Sequence, residues 1–548
     1  MSDRAKKSFE EGVGYWSNFL ASMPKKQLLL SIFFGLFRIV VAASWPFILY
    51  RTIKNSASLP NSEIIMNIVL VSIILALGAI ASQLQSKINI KVLKYSTLDL
   101  IHQIWVKMNG LSWQTFHKNN RVYYFDMLMV EVWRLRRGMS ALLEYLIVNS
   151  IIAFVLSLFI IFISLPLFIV CFCGLILMVI GHYIATVKTR PFMKDFHHAW
   201  RVQHHWVAKT VDQFDLIKMD RGYDESATAN LKNGAVFLES NSQMMLNQEK
   251  WRNINQTIGN FVRIGVFVIG LYWVKVGFVG LDDLLLTLLI VSIIQSNIAQ
   301  LPGSLNSFVE AQEALKTIST FFDLEEENVD DAKSMVSFGA IETISIQNLC
   351  FKYDDKPIIT NLNIDLQMGK VYLWKGYNGS GKSTAAHILL GLLQPNSGCL
   401  SINGKPINWT DLKQFRNRFT FLNQDSPIFM GSIKENILFG HNSPLQAWDK
   451  LKQSWLVDLI PVSGLAENRI VGERGEGLSG GESKRVALIR ELLRSSELLI
   501  LDEPLNHLDE FAINEIYREI SNIKSKTILI IISHQTGFEN IADEIKQF

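Results

Sequence analysis

The chain has 548 residues, 49% of them hydrophobic, with 53 basic against 50 acidic side chains and a formal charge of +3. So small an excess excludes a nucleic-acid binder, which needs a strongly basic face, and the length exceeds one compact core and suits two domains. Four cysteines, Cys171, Cys173, Cys350 and Cys399, have neither metal-ligand spacing nor the pattern of a disulfide framework.

Ahead of the first apolar run, Phe9, Val13, Trp16 and Leu20 recur at helical spacing beside Lys6, Lys7, Lys25 and Lys26. This predicts an interfacial amphipathic helix over residues 1–26, with a solvated tail as the plainer reading. A spanning helix needs about 20 apolar residues. Six runs supply them: Gln27–Tyr50, Ile64–Leu84, Leu142–Leu165, Leu167–Val187, Ile258–Val276 and Leu284–Leu301. There is no cleavable signal pattern, and the first run is long enough to stay in the bilayer as an anchor. A tight turn near Pro166 joins the third and fourth runs. By contrast, Gln85–Ser140 and Lys188–Arg252 are long connections, and they carry Lys87, Lys91, Lys94, Lys107, Arg134, Arg136 and Arg137. The alternate loops are short and nearly free of Lys and Arg. The positive-inside rule therefore puts the long connections, both termini and the C-terminal half in the cytosol.

Several polar side chains interrupt the apolar runs. Arg38 falls mid-span, where an unpaired charge costs roughly 2.5–3.5 kcal/mol, so it is expected to face a wet cavity or a partner. Arg263 either faces the same space or snorkels to headgroups. Gln295, Asn297 and Gln300 either line a cavity or bond between helices. Residues 323–340 are acidic and polar, with Leu-Glu-Glu-Glu-Asn-Val-Asp-Asp at 324–331, and read as a solvated linker. Ile341 then opens a strand-rich region.

Val371-Tyr-Leu-Trp374 reads as a short buried strand, followed by Gly376-Tyr-Asn-Gly-Ser-Gly-Lys-Ser383 and a helix from Thr384 to Leu390. This strand–loop–helix context gives the pattern GxxxxGK[ST] its meaning. Gly376, Gly379 and Gly381 let successive N–H groups of the loop, with Asn378 and Ser380 between them, turn toward an anion. The helix N-terminus beginning near Thr384 adds positive potential. Lys382 is placed for the β- and γ-phosphates of a nucleotide, and Ser383 for Mg²⁺. Further on, Leu498-Leu-Ile-Leu501 reads as a buried parallel strand ending in Asp502-Glu503. Such strands deliver their C-terminal residues to the ligand crevice. Asp502 is assigned to Mg²⁺ and Glu503 to general-base activation of water.

With Leu478-Ser-Gly-Gly-Glu482 about a hundred residues after the phosphate loop, the C-terminal half resembles the nucleotide-binding domain of an ABC transporter. The resemblance implies that Tyr353 stacks on adenine and that Gln424 senses Mg²⁺ and the attacking water. It implies too that Ser479, Gly480 and Gly481 close on the γ-phosphate bound by a second subunit. By the same resemblance, Asn506-His-Leu-Asp509 is the D-loop and His534 the switch histidine. Val471-Gly-Glu-Arg-Gly475 and Gly431-Ser-Ile-Lys-Glu-Asn436 resemble exporter segments, and the membrane half precedes the ATPase in one polypeptide, unlike importers. Trp113–Asn119 and Val211–Met219 sit where exporters carry coupling helices. Three features depart from the family pattern. Glu482 stands where Gln is more usual. Asn506-His507 stands where Ser-Ala is common, a pair resembling soluble translational ATPases of the superfamily, which lack a membrane domain. The chain ends at Phe548, which predicts an abbreviated edge of the ATPase domain. The segment before the first run is too short for the cysteine-protease domain of some peptide exporters, so no leader cleavage is expected.

The expected fold is multi-domain. An all-α polytopic domain of six transmembrane helices with long cytosolic extensions (27–322) precedes an α/β P-loop ABC ATPase domain (341–548). The resemblance implies a half-transporter of the type IV exporter fold in the cell's inner membrane. It would bind ATP and Mg²⁺ and act as a homodimer, or as a heterodimer with a degenerate partner. Arg38, Arg263, Gln295 and Asn297 together suggest a polar, somewhat cationic cavity suited to a peptide or an acidic amphiphile. The expected function is export of a peptide or small secondary metabolite, an antimicrobial peptide with self-immunity included. A lipid or lipid-linked glycan flippase shares every motif, and a nucleotide-gated sensor or channel is the reading from another class.

Overall fold

The structure, a computed structural model, describes residues 23–55, 59–212, 217–218, 223–299, 301–327, 339–425, 427–460, 469–472 and 475–548. The expected amphipathic helix lies almost wholly outside the described residues, as does most of the acidic linker. Two compact units result: residues 1–111 with 118–325, and residues 112–117 with 326–548.

The first unit is helical. In chain order come α1 (Lys25–Lys54), α2 (Asn61–Gly110), the short α3 (Trp113–Lys118) and α4 (Arg121–Asp126), α5 (Val132–Ala141), α6 (Ile147–Ile163), α7 (Leu165–Asp212), α8 (Tyr223–Val276), α9 (Leu281–Ile298) and α10 (Leu301–Phe322). Of these, α3 belongs by its contacts mainly to the second unit. Among the described residues, six helical stretches are long and apolar enough to cross a membrane; five contain a run read from the sequence, and the third, ending at Ile163, covers all but the last two residues of Leu142–Leu165. Helices α2, α7 and α8 have 50, 48 and 54 residues, so at 1.5 Å per residue each is roughly 70–80 Å long. A hydrocarbon core is only about 30 Å thick. Part of each long basic connection is therefore a continuation of a span: Gln85–Gly110 extends α2, Lys188–Asp212 extends α7, and Tyr223–Arg252 leads into the span of α8.

Packing follows the residue pattern. Val148, Ile152, Leu156 and Ile160 repeat every fourth residue along α6 and share a buried cluster with Leu284, Ile290 and Ile294 of α9. Small residues allow close approach: a side chain at Gly138 of α5 would collide with Ala311 and the Ser307 carbonyl of α10. Two π-helical segments, Met127–Glu131 and Leu142–Leu146, flank α5. The mid-span charge is met by a neighbouring helix, since Arg38 Nη1 donates to Gln85 Oε1 at 2.8 Å.

The second unit is α/β. Strands β1 (Thr343–Tyr353), β2 (Lys356–Gln367), β4 (Ser397–Ile402) and β5 (Lys405–Ile407) form an antiparallel sheet in the order β2-β1-β4-β5. The second sheet has the order β11-β3-β10-β9-β6, from β3 (Val371–Lys375), β6 (Phe419–Leu422), β9 (Leu498–Asp502), β10 (Ile528–Ile532) and β11 (Glu544–Gln547). All its pairings are parallel. Central strands of such a sheet are covered on both faces, and Ile528–Ile532 is accordingly buried at every residue. The edge expected to be cut short after His534 carries β11, paired parallel to β3. Around the sheet lie α11 (Lys382–Leu389), α12 (Ile433–Leu438), α13 (Pro444–Lys452), α14 (Gly480–Leu492) and α15 (Glu510–Ile523), with the two-residue strands β7 (Gly431–Ser432) and β8 (Ile470–Val471) paired antiparallel.

Candidate functional site

Register places the chemistry on one edge. Ile532 of β10 pairs with Trp374 of β3 on one side and Asp502 of β9 on the other. The three strands therefore release the phosphate loop, the acidic pair and Ser533-His534 side by side, at the carboxyl ends where ligands bind in open α/β sheets.

Between β3 and α11 the loop turns on glycines. Gly379 and Gly381 have φ of 85° and 97°, a left-handed conformation that side chains other than glycine resist. A Cβ at Gly381 would also lie 3.1 Å from Ile359 Cγ1. Lys382 is buried and curls back over the loop, its Nζ donating to the carbonyls of Gly376 at 2.7 Å and Tyr377 at 3.0 Å. Burial lowers its pKa, and Asp502 and Glu503 oppose that shift. Ser383 Oγ donates to Asp502 Oδ2 at 3.1 Å. A hydroxyl and a carboxylate so placed are the hard oxygen donors that Mg²⁺ prefers. The site residues thus fit a magnesium nucleotide. Asp502 is 5% exposed, and burial chiefly pushes its pKa up, with Glu503 adding and Ser383, Lys484 and Lys382 opposing.

Glu503 is held by its surroundings. Its φ is 45°, and its N–H donates to Ile532 O at 2.9 Å. Its carboxylate accepts from the His534 backbone N–H at 3.3 Å and from Ser533 Oγ at 3.4 Å. The His534 side chain stays exposed. Sequence reading missed Ser533, because a serine after a strand carries no signal of its own. Gln535 Nε2 donates to Asn506 Oδ1 at 3.2 Å, which gives the asparagine that departs from the expected pattern a partner next to His534.

The segment expected to be the signature opens α14. Ser479 is its N-cap and forms a capping box with Glu482: Glu482 N donates to Ser479 Oγ at 3.2 Å and Ser479 N to Glu482 Oε2 at 2.7 Å. Glu and Gln both serve in that position, so the departure at Glu482 is structurally conservative. The Ser479 N–H is the main cause holding the Glu482 carboxyl below its ordinary range. Gly480 has open space where a side chain would begin, whereas Gly481 is overlain by the His507 carbonyl of the D-loop. His507 itself has a φ of 67°.

Gln424 follows β6 and is exposed. Lys484 Nζ donates to its main-chain carbonyl at 3.2 Å. Sequence reading overlooked this lysine, because burial over Val486–Leu492 runs through consecutive residues and leaves no periodic signal that includes it. Tyr353 closes β1 with 41% of its surface exposed and meets Phe351 edge-on at 4.8 Å. In Gly431–Asn436, Ser432 and Glu435 form a second capping box. Glu473 and Arg474 lie outside the described residues.

Six residues from the membrane half of the sequence, Ser112–His117, cluster with the ATPase unit. Trp113 packs against the core that holds Tyr372 and Trp374, and its ring lies 4.9 Å from His387 of α11. The second expected coupling segment, Val211–Met219, falls largely outside the described residues.

In the membrane unit a cavity of about 1300 Å³ is lined by His182, Asn255, Arg263, Gln295, Ser304 and Glu310 among others. Arg263 Nη2 donates to Asn260 Oδ1 at 2.6 Å. Asn255 is 6% exposed and neither of its amide atoms has a protein partner, nor does Gln295 Oε1. Arg38 and Asn297 are not on this wall. Arg38 binds Gln85, and Asn297 Nδ2 donates to Ile293 O of its own helix at 2.9 Å. Gln300 lies outside the described residues.

Residues 359–506 match the ABC transporter family model. A multidrug resistance ABC transporter ATP-binding and permease protein of Lactococcus lactis is 26% identical over 285 residues, 51% of this chain and 48% of its own length. An uncharacterized ABC transporter ATP-binding protein of Bacillus subtilis is 25% identical over 296 residues, 54% and 52% of the two chains. The chain thus spans about half the length of the curated relatives it matches. Among solved structures, a bacterial Atm1-family ABC exporter with ATP bound aligns over 96% of this chain and 93% of its own, at 19% identity and a TM-score of 0.84. That likeness is one of fold.

Proposed function

We propose that this chain, whose residues 359–506 match the ABC transporter family model and whose fold is that of an ABC exporter, is a half-transporter that hydrolyses ATP as a dimer to drive export. The observation carrying the proposal is the convergence of Lys382, the Ser383–Asp502 pair and Glu503 on one sheet edge.

Each residue then has a task. The turned N–H groups from Gly376 to Gly381, with Asn378, Ser380 and Thr384, cradle the phosphates, and Lys382 leaves the loop carbonyls to contact the β- and γ-phosphates. Ser383, Asp502 and Gln424 would hold Mg²⁺, which would neutralise phosphate charge there. Glu503, aimed by Ser533 and the His534 N–H, polarises the attacking water, and His534 contacts the γ-phosphate. Tyr353 stacks on the base. One chain has one signature, so Ser479, Gly480 and Gly481 at the positive end of α14 serve the nucleotide held by a second copy. Closure moves Trp113 with α11 and reorients the membrane domain. The basic extensions and both termini face the cytosol, with the spans in the inner membrane.

The cavity lined by Arg263, Gln295 and unpaired amides suits a peptide or small metabolite bearing an acidic group. The deciding experiment measures ATPase activity and vesicle uptake for the purified chain in lipid. Hydrolysis that is lost in Glu503→Gln, with ATP retained, supports the reading. A dimer that binds ATP and never hydrolyses it overturns turnover and favours gating.

A further inference from the structure

Lys484 has no part in the scheme above, yet it is among the most deeply buried cations of the ATPase unit, at 4% exposure. A buried ammonium costs several kcal/mol unless it is paired and hydrogen-bonded. Every residue from Val486 to Leu492 is buried too, so α14 is enclosed on all sides over that stretch and the Lys484 side chain lies within the fold. There its Nζ donates to the Gln424 carbonyl at 3.2 Å, while Asp425, Asp502 and Glu503 supply the opposing charge. Six residues along the same helix, Arg490 Nη1 donates to Pro427 O at 3.2 Å. Thus α14 grips the loop after β6 at both ends, and Lys484 is the grip beside the acidic pair.

We propose that Lys484 is a positioning residue for hydrolysis: by fixing the Gln424 backbone it aims the Gln424 amide at the space in front of Asp502 and Glu503, and it ties that loop to the signature helix of its own chain. The proposal rests on the hydrolytic reading. An apolar side chain of similar length would satisfy the packing and lose the grip. A purely structural lysine would therefore tolerate methionine, whereas a positioning lysine would not.

The test is steady-state ATPase kinetics of the full chain in nanodiscs, for the wild type, Lys484→Met, Lys484→Arg and Gln424→Ala, and for Lys484→Met combined with Gln424→Ala. Loss of one hydrogen bond from a charged donor is expected to lower kcat about tenfold, with KM for ATP within about twofold. Lys484→Arg restores the rate. On the Gln424→Ala background, Lys484→Met causes no further loss, because the group it aims is gone. Should Lys484→Met fail to yield folded dimer, Lys484→Gln, alone and with Gln424→Ala, decides the same question. Wild-type kcat in the Lys484 variant, or a loss undiminished on the Gln424→Ala background, overturns the role of Lys484 alone. A wild type without ATPase activity overturns the hydrolytic reading, and this role with it.

Discussion

The backbone N–H of His534 lies 3.3 Å from Glu503 Oε1, and the neighbouring Ser533 hydroxyl lies 3.4 Å from Oε2. Residues 533 and 534 thus orient the carboxylate through the Ser533 hydroxyl and the His534 main chain, whatever the imidazole contacts. Glu503→Gln is expected to reduce kcat by about 100-fold or more, the usual worth of a general base, and to leave ATP bound. Ser533→Ala removes one aiming bond and should cost about three- to tenfold in kcat. Steady-state turnover and retained nucleotide are the measurements, and robust turnover in Glu503→Gln would remove it as the base.

Gly381 combines a φ of 97° with a close neighbour at Ile359. Gly381→Ala imposes roughly 1–3 kcal/mol of backbone strain on the turn that presents the phosphate-binding amides. ATP affinity measured with a fluorescent analogue should fall at least about tenfold, while Gly379→Ala, with open space at its Cβ, should be limited to its φ strain.

The capping box at Ser479 has a pH signature. Because the folded-state pKa of Glu482 is depressed, its charge contributes stability that is fully present above the unfolded carboxylate range. That contribution is lost as pH falls through the folded value. Glu482→Gln keeps the cap geometry without the charge. Its thermal midpoint should trail the wild type slightly from pH 7 down to about pH 5, and the gap should close only below about pH 4, as the carboxyl protonates through its lowered folded value. A gap that stays constant below about pH 4 would contradict a charge-based contribution.

Two arginines in the membrane unit should behave differently. Arg38 is engaged with Gln85 between α1 and α2, so Arg38→Met should lower thermal stability and spare the ratio of cargo-stimulated to basal ATPase. Arg263 faces the cavity, so Arg263→Met should alter that ratio with little change in the melting midpoint. Identical effects of the two changes would remove the distinction.

Much of this was legible before any coordinates. The phosphate loop and acidic pair were readable because each is a short local pattern attached to a buried strand, and the six spans because apolar length alone marks them. What escaped was set by contacts between distant segments. Nothing near Arg38 names Gln85 as its partner, 47 residues away. Gln295 and Asn297 are two residues apart on one helix, and only packing shows that the first meets the cavity and the second its own backbone. The π-helical segments around α5 have no marker in composition, since an extra residue per turn is absorbed by neighbouring helices. Strand β11, four residues with one apolar side chain at Ile545, is too short and polar to announce itself.

Trp113 is encoded ahead of the third span yet sits in the aromatic seat beside His387, five residues beyond Lys382. A soluble fragment starting at residue 326 would leave that seat bare, an apolar notch on the helix that begins with Lys382. Such a fragment should be prone to self-association, and a short peptide copying Ser112–His117 should act as its plug. Any chimera joining this ATPase to a foreign membrane half inherits the same requirement: the graft must bring its own indole.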